Sequence, residues 1–433
     1  MSQAWVGRTH DLVGIGFGPS NLGLAIALEE QGSPPAVRFV ERQEAFGWHR
    51  GMLIEDATMQ ISFLKDLVTL RNPTSSFSFL AYLKERGRLV DFINYGSAFP
   101  TRLEFHDYLE WSAARFADRV DYATSVQRIT AVPDDPSVVD VHTSTGSVLR
   151  TRNVVLATGL QPHLPEGVQT SERVWHSRDL LRRVGSVTDP KRVIVVGAGQ
   201  SAAETVDHLH RTFPDAEVCA VFSRYGYSPA DDSSFANRVF DPDAVDVFFG
   251  ASTEVKDLIL GYHSNTNYSV VDPELIEALY RRHYHEKVSG RERLRFLNVS
   301  RIVDVVPVGA TEGTGSPHVE LVIESMLDGR REVMTADLVV YATGYRPSDP
   351  CGLLGELAES CVRDDVGRLE VERDYRVRTV PELDAGVYLQ GPTERTHGLS
   401  STLLSNVAVR AGEIAASIVA RSGTAAPRPA SLV

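Results

Sequence analysis

The sequence predicts an α/β protein with two Rossmann-like dinucleotide-binding domains and a small helical subdomain. Three observations predict it. Residues 9–28, THDLVGIGFGPSNLGLAIAL, read as a buried strand, a glycine turn and a helix. Arg192-Val-Ile-Val-Val196 followed by Gly197-Ala-Gly199-Gln-Ser-Ala202 repeats that pattern. The stretch Val154-Val-Leu-Ala-Thr-Gly159 recurs almost letter for letter as Leu338-Val-Val-Tyr-Ala-Thr-Gly344, which suggests two crossings between one domain and an inserted second one.

In the first unit Asp11, Leu12, Val13 and Ile15 form the strand, and Gly14, Gly16 and Gly18 punctuate its end. Asn21 to Gln31 then shows apolar positions at helical spacing; Pro19 and Ser20 lie in the turn before it, with Pro19 where the dinucleotide fingerprint often has its third glycine. Glycines allow the tight turn, and the helix N-terminus offers unpaired N–H groups to a diphosphate. The strand Val37-Arg-Phe-Val-Glu41 places Glu41 where an acid holds the adenosine ribose hydroxyls. A purely structural glycine turn is the competing reading.

The chain has 433 residues and a formal charge of −13, ordinary for a globular protein of two or three domains. The acidic balance argues against binding nucleic acid or anionic membranes. Three cysteines without C-x-x-C spacing argue for a reducing compartment and against a zinc site. With no apolar signal core in MSQAWVGRTH and no membrane-length apolar run, a cytoplasmic location is expected.

Residues 43–87 are rich in aromatic and polar groups but irregular, apart from a helix expected over Ser76–Glu85. Such a segment beside a dinucleotide site commonly supplies flavin and substrate contacts. Pro100-Thr-Arg102 opens a helix to about Phe116, and Val126–Val132 and Val138–Leu149 read as strands. In the second unit Gly197, Gly199, Gln200 and Ser201 form the turn, and the strand Glu217–Phe222 ends in Ser223-Arg224. An arginine there binds a 2′-phosphate that an acid would repel, favouring NADP over NAD; an exposed strand-end arginine is the alternative. Helical pieces are expected at Thr253–Leu260 and Pro273–Lys287, strands at Arg301–Val308, Val319–Glu324 and Arg331–Met334, and a last helix at Ser400–Arg421. The expected partition is 1–165 with a return at 336–421 for the first domain, and 166–227 with 295–335 for the second. Residues 228–294 would be the helical subdomain and 422–433 a disordered tail.

Two dinucleotide units in one chain point to FAD in the first and a nicotinamide delivering hydride from the second. No cysteine precedes Cys219, so a disulfide-reductase route is closed and dioxygen remains as electron acceptor.

The motifs GIGFGPSN, FGWHRGM, MQISFLKDLVTLRNPTSSFSFLAYL, P-T-R-x-E-F-x-x-Y-L-x-W, GAGQSAAE, N-T-N-Y-S, ATGYRP and THGLSSTLLS follow in order from Asp11 to Arg421. Together they resemble the microbial L-ornithine N5-monooxygenases and L-lysine N6-monooxygenases of siderophore biosynthesis, the actinobacterial ornithine enzymes most nearly. The resemblance implies FAD, NADPH and O₂ as cofactors and co-substrate, a C4a-hydroperoxyflavin as oxygen donor, and a homotetramer or homodimer. It further implies that Lys65 and Asn237 hold the substrate carboxylate, and that Asn267 accepts a hydrogen bond from the reacting amine. Leu399 and Ser400 would close the pocket, with Ser400 opening the last helix toward the flavin. Gln60 and Arg102 would lie near the isoalloxazine, beside the pair Trp48 and His49. Because such an amine has a solution pKa near ~10.4, the site must favour its neutral form. A neutral acceptor such as Asn267 suits that, whereas an aspartate would stabilise the ammonium.

Outside these motifs Lys65 reads as a solvated lysine, Asn267 as a turn residue and His49 as a packed loop histidine. His176 matches an incomplete linker motif. His283 and His285 fall on different helix faces, so no metal site is expected. No acid follows the late strand Val387-Tyr-Leu-Gln390, which suggests exchangeable FAD. Ornithine ranks first as substrate, lysine second and diamines third; one methylene amounts to only ~1–3 kcal/mol of discrimination. A non-hydroxylating NADPH-binding flavoprotein is the reading from another class.

Overall fold

The computed structural model describes residues 9–32, 35–263, 266, 268–309 and 317–421. Its first sheet has five parallel strands in the order Gly386–Leu389, Asn153–Leu156, Leu12–Ile15, Val37–Val40, Val120–Asp121. A second five-stranded parallel sheet runs Leu294–Leu297, Glu217–Val221, Arg192–Val196, Leu338–Tyr341, Val174–His176. The central strands are covered on both faces, which is why they read as unbroken apolar runs rather than alternating ones. The helix Pro19–Glu29 packs against the closing helix Val407–Arg421. Each sheet also carries a three-stranded antiparallel flap, Val126–Thr151 on the first and Ser300–Ala336 on the second.

The two units share one hydrogen-bond pattern at their glycine turns. Gly16 N donates to Val40 O at 2.8 Å and Ala157 N to Ile15 O at 2.9 Å; Gly197 N donates to Val221 O at 3.0 Å and Ala342 N to Val196 O at 2.8 Å. Gly16 and Gly197 have φ of +83° and +138°, and a Cβ on either would collide with the carbonyl of Ala157 or Ala342. The repeated Ala-Thr-Gly is therefore the partner surface of each glycine turn. This equivalence corrects the fingerprint: its third position is Asn21 in the first unit and Ala202 in the second, while Pro19 is the first residue of the helix.

A second correction concerns the crossings. Leu338–Tyr341 belongs to the second sheet, so the expected boundary at 336 falls too early; the chain rejoins the first sheet at Gly386–Leu389. Both crossings run together, with Leu160–Pro162 and Tyr345–Pro347 forming an antiparallel ribbon.

The last helix begins at Val407, not Ser400. Leu399–Thr402 and Leu404–Asn406 are separate 3₁₀ turns around Leu403, which is extended at φ −99° and ψ 159°. Helices at Leu89–Tyr95 and Pro242–Gly250 go beyond the sequence expectation. Thr253–Tyr262 and Pro273–Ser289 extend the two expected pieces. No helix among the described residues is long and apolar enough to cross a membrane. The expected tail, 422–433, lies outside the described residues.

Candidate active site

Ligands of doubly wound sheets bind beyond the C-terminal strand ends, where the two glycine turns stand. Gly18 caps the helix Pro19–Glu29, and a Cβ added there would meet nothing within 4 Å, so this side of the turn is open. Asn21 is fully buried; its Nδ2 donates to Gly16 O at 2.7 Å and its Oδ1 accepts from Gln390 Nε2 at 2.9 Å. Asn21 thus holds the turn's shape from beneath. Glu41 is also buried, accepting from Phe17 N at 2.7 Å and Gln43 N at 2.8 Å. Each carboxylate oxygen keeps a lone pair for a ribose hydroxyl.

Beside this turn Gln390, which donates to Asn21, and Arg410, which reaches Ser20 and Ser401, leave Gln390 Oε1, Ser401 Oγ and Arg410 Nε without protein partners. Buried polar groups are normally satisfied. The open glycine turn and the Glu41 carboxylate fit a polyhydroxylated diphosphate ligand such as FAD.

The loop after Glu41 wedges between the units. Trp48 packs on Phe105 of the first core at 6.2 Å, whereas Met52, Ile54 and Ala57 belong to the second core. His49 adopts a left-handed φ of 49° and stands edge-on to Trp48 at 4.7 Å and Tyr345 at 5.9 Å. His49 is exposed, yet desolvation by the surrounding walls, helped by the Arg102 guanidinium, lowers its pKa to about 4. His49 is a neutral ring at physiological pH.

Arg102 opens the helix Arg102–Ala114, whose N-cap Thr101 accepts from Glu104 N. Its guanidinium forms a two-pronged pair with Glu204 of the second unit, at 2.9 and 2.6 Å. Glu204 also accepts from Gln200 Nε2 at 2.8 Å, and Gln200 Oε1 accepts from Asp272 N at 2.8 Å. Arg102 and Gln200, expected as cofactor contacts, therefore latch the two units and the helical subdomain together. Glu204 was not singled out from sequence, although GAGQSAAE ends on it, four residues after Gln200. His176 is structural: Nδ1 accepts from Arg178 N at 3.1 Å and Nε2 lies 2.9 Å from Gly344 O.

In the second turn Gly199 caps the helix Gln200–Thr212, and Ser201 is its second residue. A Cβ on Gly199 would lie 3.3 Å from Ser269 Cα, so the helical subdomain leans over this turn. Arg224 is exposed, giving one donor to Ser269 O at 2.8 Å and leaving others free for an anion. Those features fit a nicotinamide dinucleotide phosphate.

Of the residues expected to bind substrate, Asn237 lies on the turn Ala236–Phe240, which packs on the turn Leu399–Thr402. Asn237 Nδ2 donates to Asp232 O at 2.7 Å, and Leu399 and Ser400 are buried. Ser400 stands in a 3₁₀ turn and not at a helix N-terminus, so no helix dipole is directed from it. Lys65 is half-buried with its N–H on Ser62 O at 2.8 Å, and Gln60 is exposed beside the Met59–Pro100 contact. Asn267 lies outside the described residues. A cleft of about 560 Å³, reaching Lys256, Asp257, Cys351, Arg363, Thr393 and Arg395, contains none of the expected site residues. Its Arg395 is matched by Asp257 at 2.5 Å, as Arg368 is by Asp364 at 2.9 Å, which marks a charged surface groove apart from the glycine turns.

The sequence model of the L-lysine 6-monooxygenase/L-ornithine 5-monooxygenase family matches residues 8–347. The chain is 41% identical to an L-ornithine N(5)-oxygenase of Arthrobotrys oligospora, over 96% of this chain and 90% of that protein. It is 38% identical to the L-ornithine N(5)-monooxygenase of Pseudomonas aeruginosa, over 96% of each. The solved ornithine N-hydroxylase of Kutzneria sp. 744, described with reduced FAD, NADP⁺ and L-ornithine, is 49% identical at a TM-score of 0.92, covering 96% of this chain and 100% of that one. With both glycine turns and the closing segment inside these alignments, the chain belongs to the L-lysine 6-monooxygenase/L-ornithine 5-monooxygenase family.

Proposed function

We propose that this chain hydroxylates the side-chain amine of L-ornithine at N5, using FAD, NADPH and dioxygen, and so supplies a hydroxamate precursor for a siderophore. The observation that carries the reading is the meeting, along one inter-unit wedge, of two glycine-turn nucleotide units, joined by Arg102 and Glu204 in a chain so similar to an ornithine N-hydroxylase. FAD, reduced by NADPH, supplies the activation of dioxygen.

The protein's own groups do the rest. Gly16, Gly18 and Glu41 would hold FAD, and Gly197, Gly199, Ser201 and Arg224 would hold NADPH. Trp48 and neutral His49 wall the flavin side and bring no extra positive charge to it. Lys65 and Asn237 are the proposed carboxylate clamp. Asn267, whose amide oxygen accepts but cannot donate a charge, is the proposed partner of the neutral amine. Leu399 and Ser400 would exclude water from above. Gln60 is proposed to lie beside the flavin. A homotetramer or homodimer in the cytoplasm completes the reading, the cytoplasmic location supported by three unpaired cysteines.

The test is hydroxylamine product and NADPH consumption with L-ornithine, L-lysine, D-ornithine and putrescine. Product from L-ornithine with little from the others is expected. Putrescine as good as ornithine would remove the carboxylate clamp, and L-lysine as the best substrate would shift the reading to lysine N6-hydroxylation. NADPH loss to peroxide with no product from any amine would leave a non-hydroxylating flavoprotein.

A further inference from the structure

Arg410 sits on the apolar stripe of the closing helix, between Val407 and Ile414, and is 2% exposed. A cation so placed is normally matched by a buried carboxylate, because an uncompensated charge in that environment costs several kcal/mol. Among the described residues no carboxylate stands within ion-pair distance of it. Glu413, the one carboxylate among the groups that favour its charge, is engaged with Arg373 at 2.8 and 2.9 Å. Neutral groups complete its surroundings: Tyr375, and His397, which burial keeps uncharged.

Its donors show where it is aimed. Nη1 donates to Ser401 O at 2.7 Å and Ser400 O at 3.3 Å, and Nη2 reaches Ser20 Oγ at 3.4 Å, while Nε has no partner. Ser20 is the second residue of the helix Pro19–Glu29, which has no acidic residue in its first turn. Thus a buried guanidinium and the positive end of an eleven-residue helix converge on one place with nothing negative between them. Two like-signed features that repel each other in the protein alone are jointly relieved by a single anion.

We infer that Arg410 is a second cationic contact for the diphosphate of FAD, and that it ties this charge to the Leu399–Thr402 turn that closes the substrate pocket. The inference rests on the reading of the first unit as the FAD site. It also offers an anchor for the cofactor where the late strand ends in Gln390 instead of an acid. Through the Ser400 and Ser401 carbonyls, filling the diphosphate site fixes the turn beside the substrate, so Arg410 is at once a cofactor contact and a positioning residue.

The experiment uses full-length apoprotein of wild type, Arg410→Lys and Arg410→Gln. FAD affinity is read by flavin fluorescence, ADP affinity by calorimetry, and ligand-free stability by thermal melting. For Arg410→Gln, FAD and ADP should both bind roughly tenfold to a hundredfold more weakly. Arg410→Lys should recover most of the loss, and ligand-free Arg410→Gln should melt no lower than wild type, since an unmatched charge has been removed. FAD affinity within about threefold of wild type in Arg410→Gln overturns the inference. So does an equal loss in both variants, or weakened FAD with unchanged ADP. A ligand-free melting point below wild type, with FAD affinity not restored by lysine, assigns Arg410 to packing alone and also overturns it. Wild-type protein that binds no FAD overturns the functional reading along with it, whereas wild-type binding unaffected by Arg410→Gln overturns this inference only.

Discussion

Replacing Glu204 by alanine isolates the latch between the two units. The side chains of Arg102 and Glu204 are 12% and 6% exposed, and their contact is two-pronged. Removing one member of such a pair strands the other charge in a dry interface, at a cost of ~3–5 kcal/mol. Gln200 Nε2 loses its acceptor in the same step, which belongs within that range. At ~2–4 °C per kcal/mol for a large domain, Glu204→Ala should lower the melting temperature by on the order of 10 °C. Arg102→Met should do much the same. The double variant Arg102→Met/Glu204→Leu removes both charges and should regain most of the loss, so the double-mutant cycle reports strong coupling. Anaerobic stopped-flow reduction of the flavin by NADPH should slow in the single variants, because the joint between the flavin and nicotinamide units has loosened. Melting losses below about 2 °C, or a double variant equal to the sum of the singles, would refute the argument that this pair fastens the units.

The two glycines of the first turn should separate folding from binding. Gly16→Ala forces a side chain at φ +83° against the Ala157 carbonyl and should cost at least ~1–3 kcal/mol, seen as a lower melting point of the ligand-free protein. Gly18→Ala, at φ −86° with open space around it, should melt like wild type while losing FAD affinity. Equal melting losses in the two would contradict the geometry. His397 sets an acid limit: it is 1% exposed, and burial first, then the Arg373 and Arg410 charges, lower its pKa from 6.5 to about 4. As pH falls through that window the unfolded chain takes up the proton before the folded one does. Stability should therefore drop by up to ~1.4 kcal/mol per pH unit from this group, levelling below about 4. His397→Gln should flatten the pH–stability curve between these limits, and parallel curves would show that His397 does not carry the effect.

What sequence made legible here is what local periodicity and turn chemistry encode. The strands Leu12–Ile15 and Arg192–Val196 are short apolar runs closed by glycine, and Thr101 with Glu104 announces a helix start, so each is readable from its neighbours. The position of Asn21 was not, because only strand pairing shows that Gly16, and not Gly14, matches Gly197. Leu338–Tyr341 looked like a return to the first domain because its near-copy sits there; which sheet an apolar strand joins depends on partners far along the chain. The Arg102–Glu204 pair spans 102 residues and leaves no local trace. Arg410 did leave one, a charge interrupting the apolar stripe that ends at Ile418. The substrate turns near Asn237 and Leu399 carry little regular structure, so for these a family resemblance said more than any pattern of hydropathy.

The ribbon formed by Leu160–Pro162 and Tyr345–Pro347 has an architectural consequence. Because departure and return run side by side, the chain leaves for the second unit and comes back at points about 5 Å apart, the spacing of paired strands. Residues 163–344 are thus a cassette with both leads at one socket. Exchanging it for the corresponding cassette of a relative asks for two adjacent splices and no new linker. The proposed 2′-phosphate contact, Arg224, lies inside the cassette and can then diverge while the frame outside stays the same. The proposed substrate residues straddle the socket, since Lys65 and Leu399 lie on the frame and Asn237 travels with the cassette. A lineage that swapped cassettes would still have to re-match the Arg102–Glu204 pair and the packing of Met52, Ile54 and Ala57 across the joint.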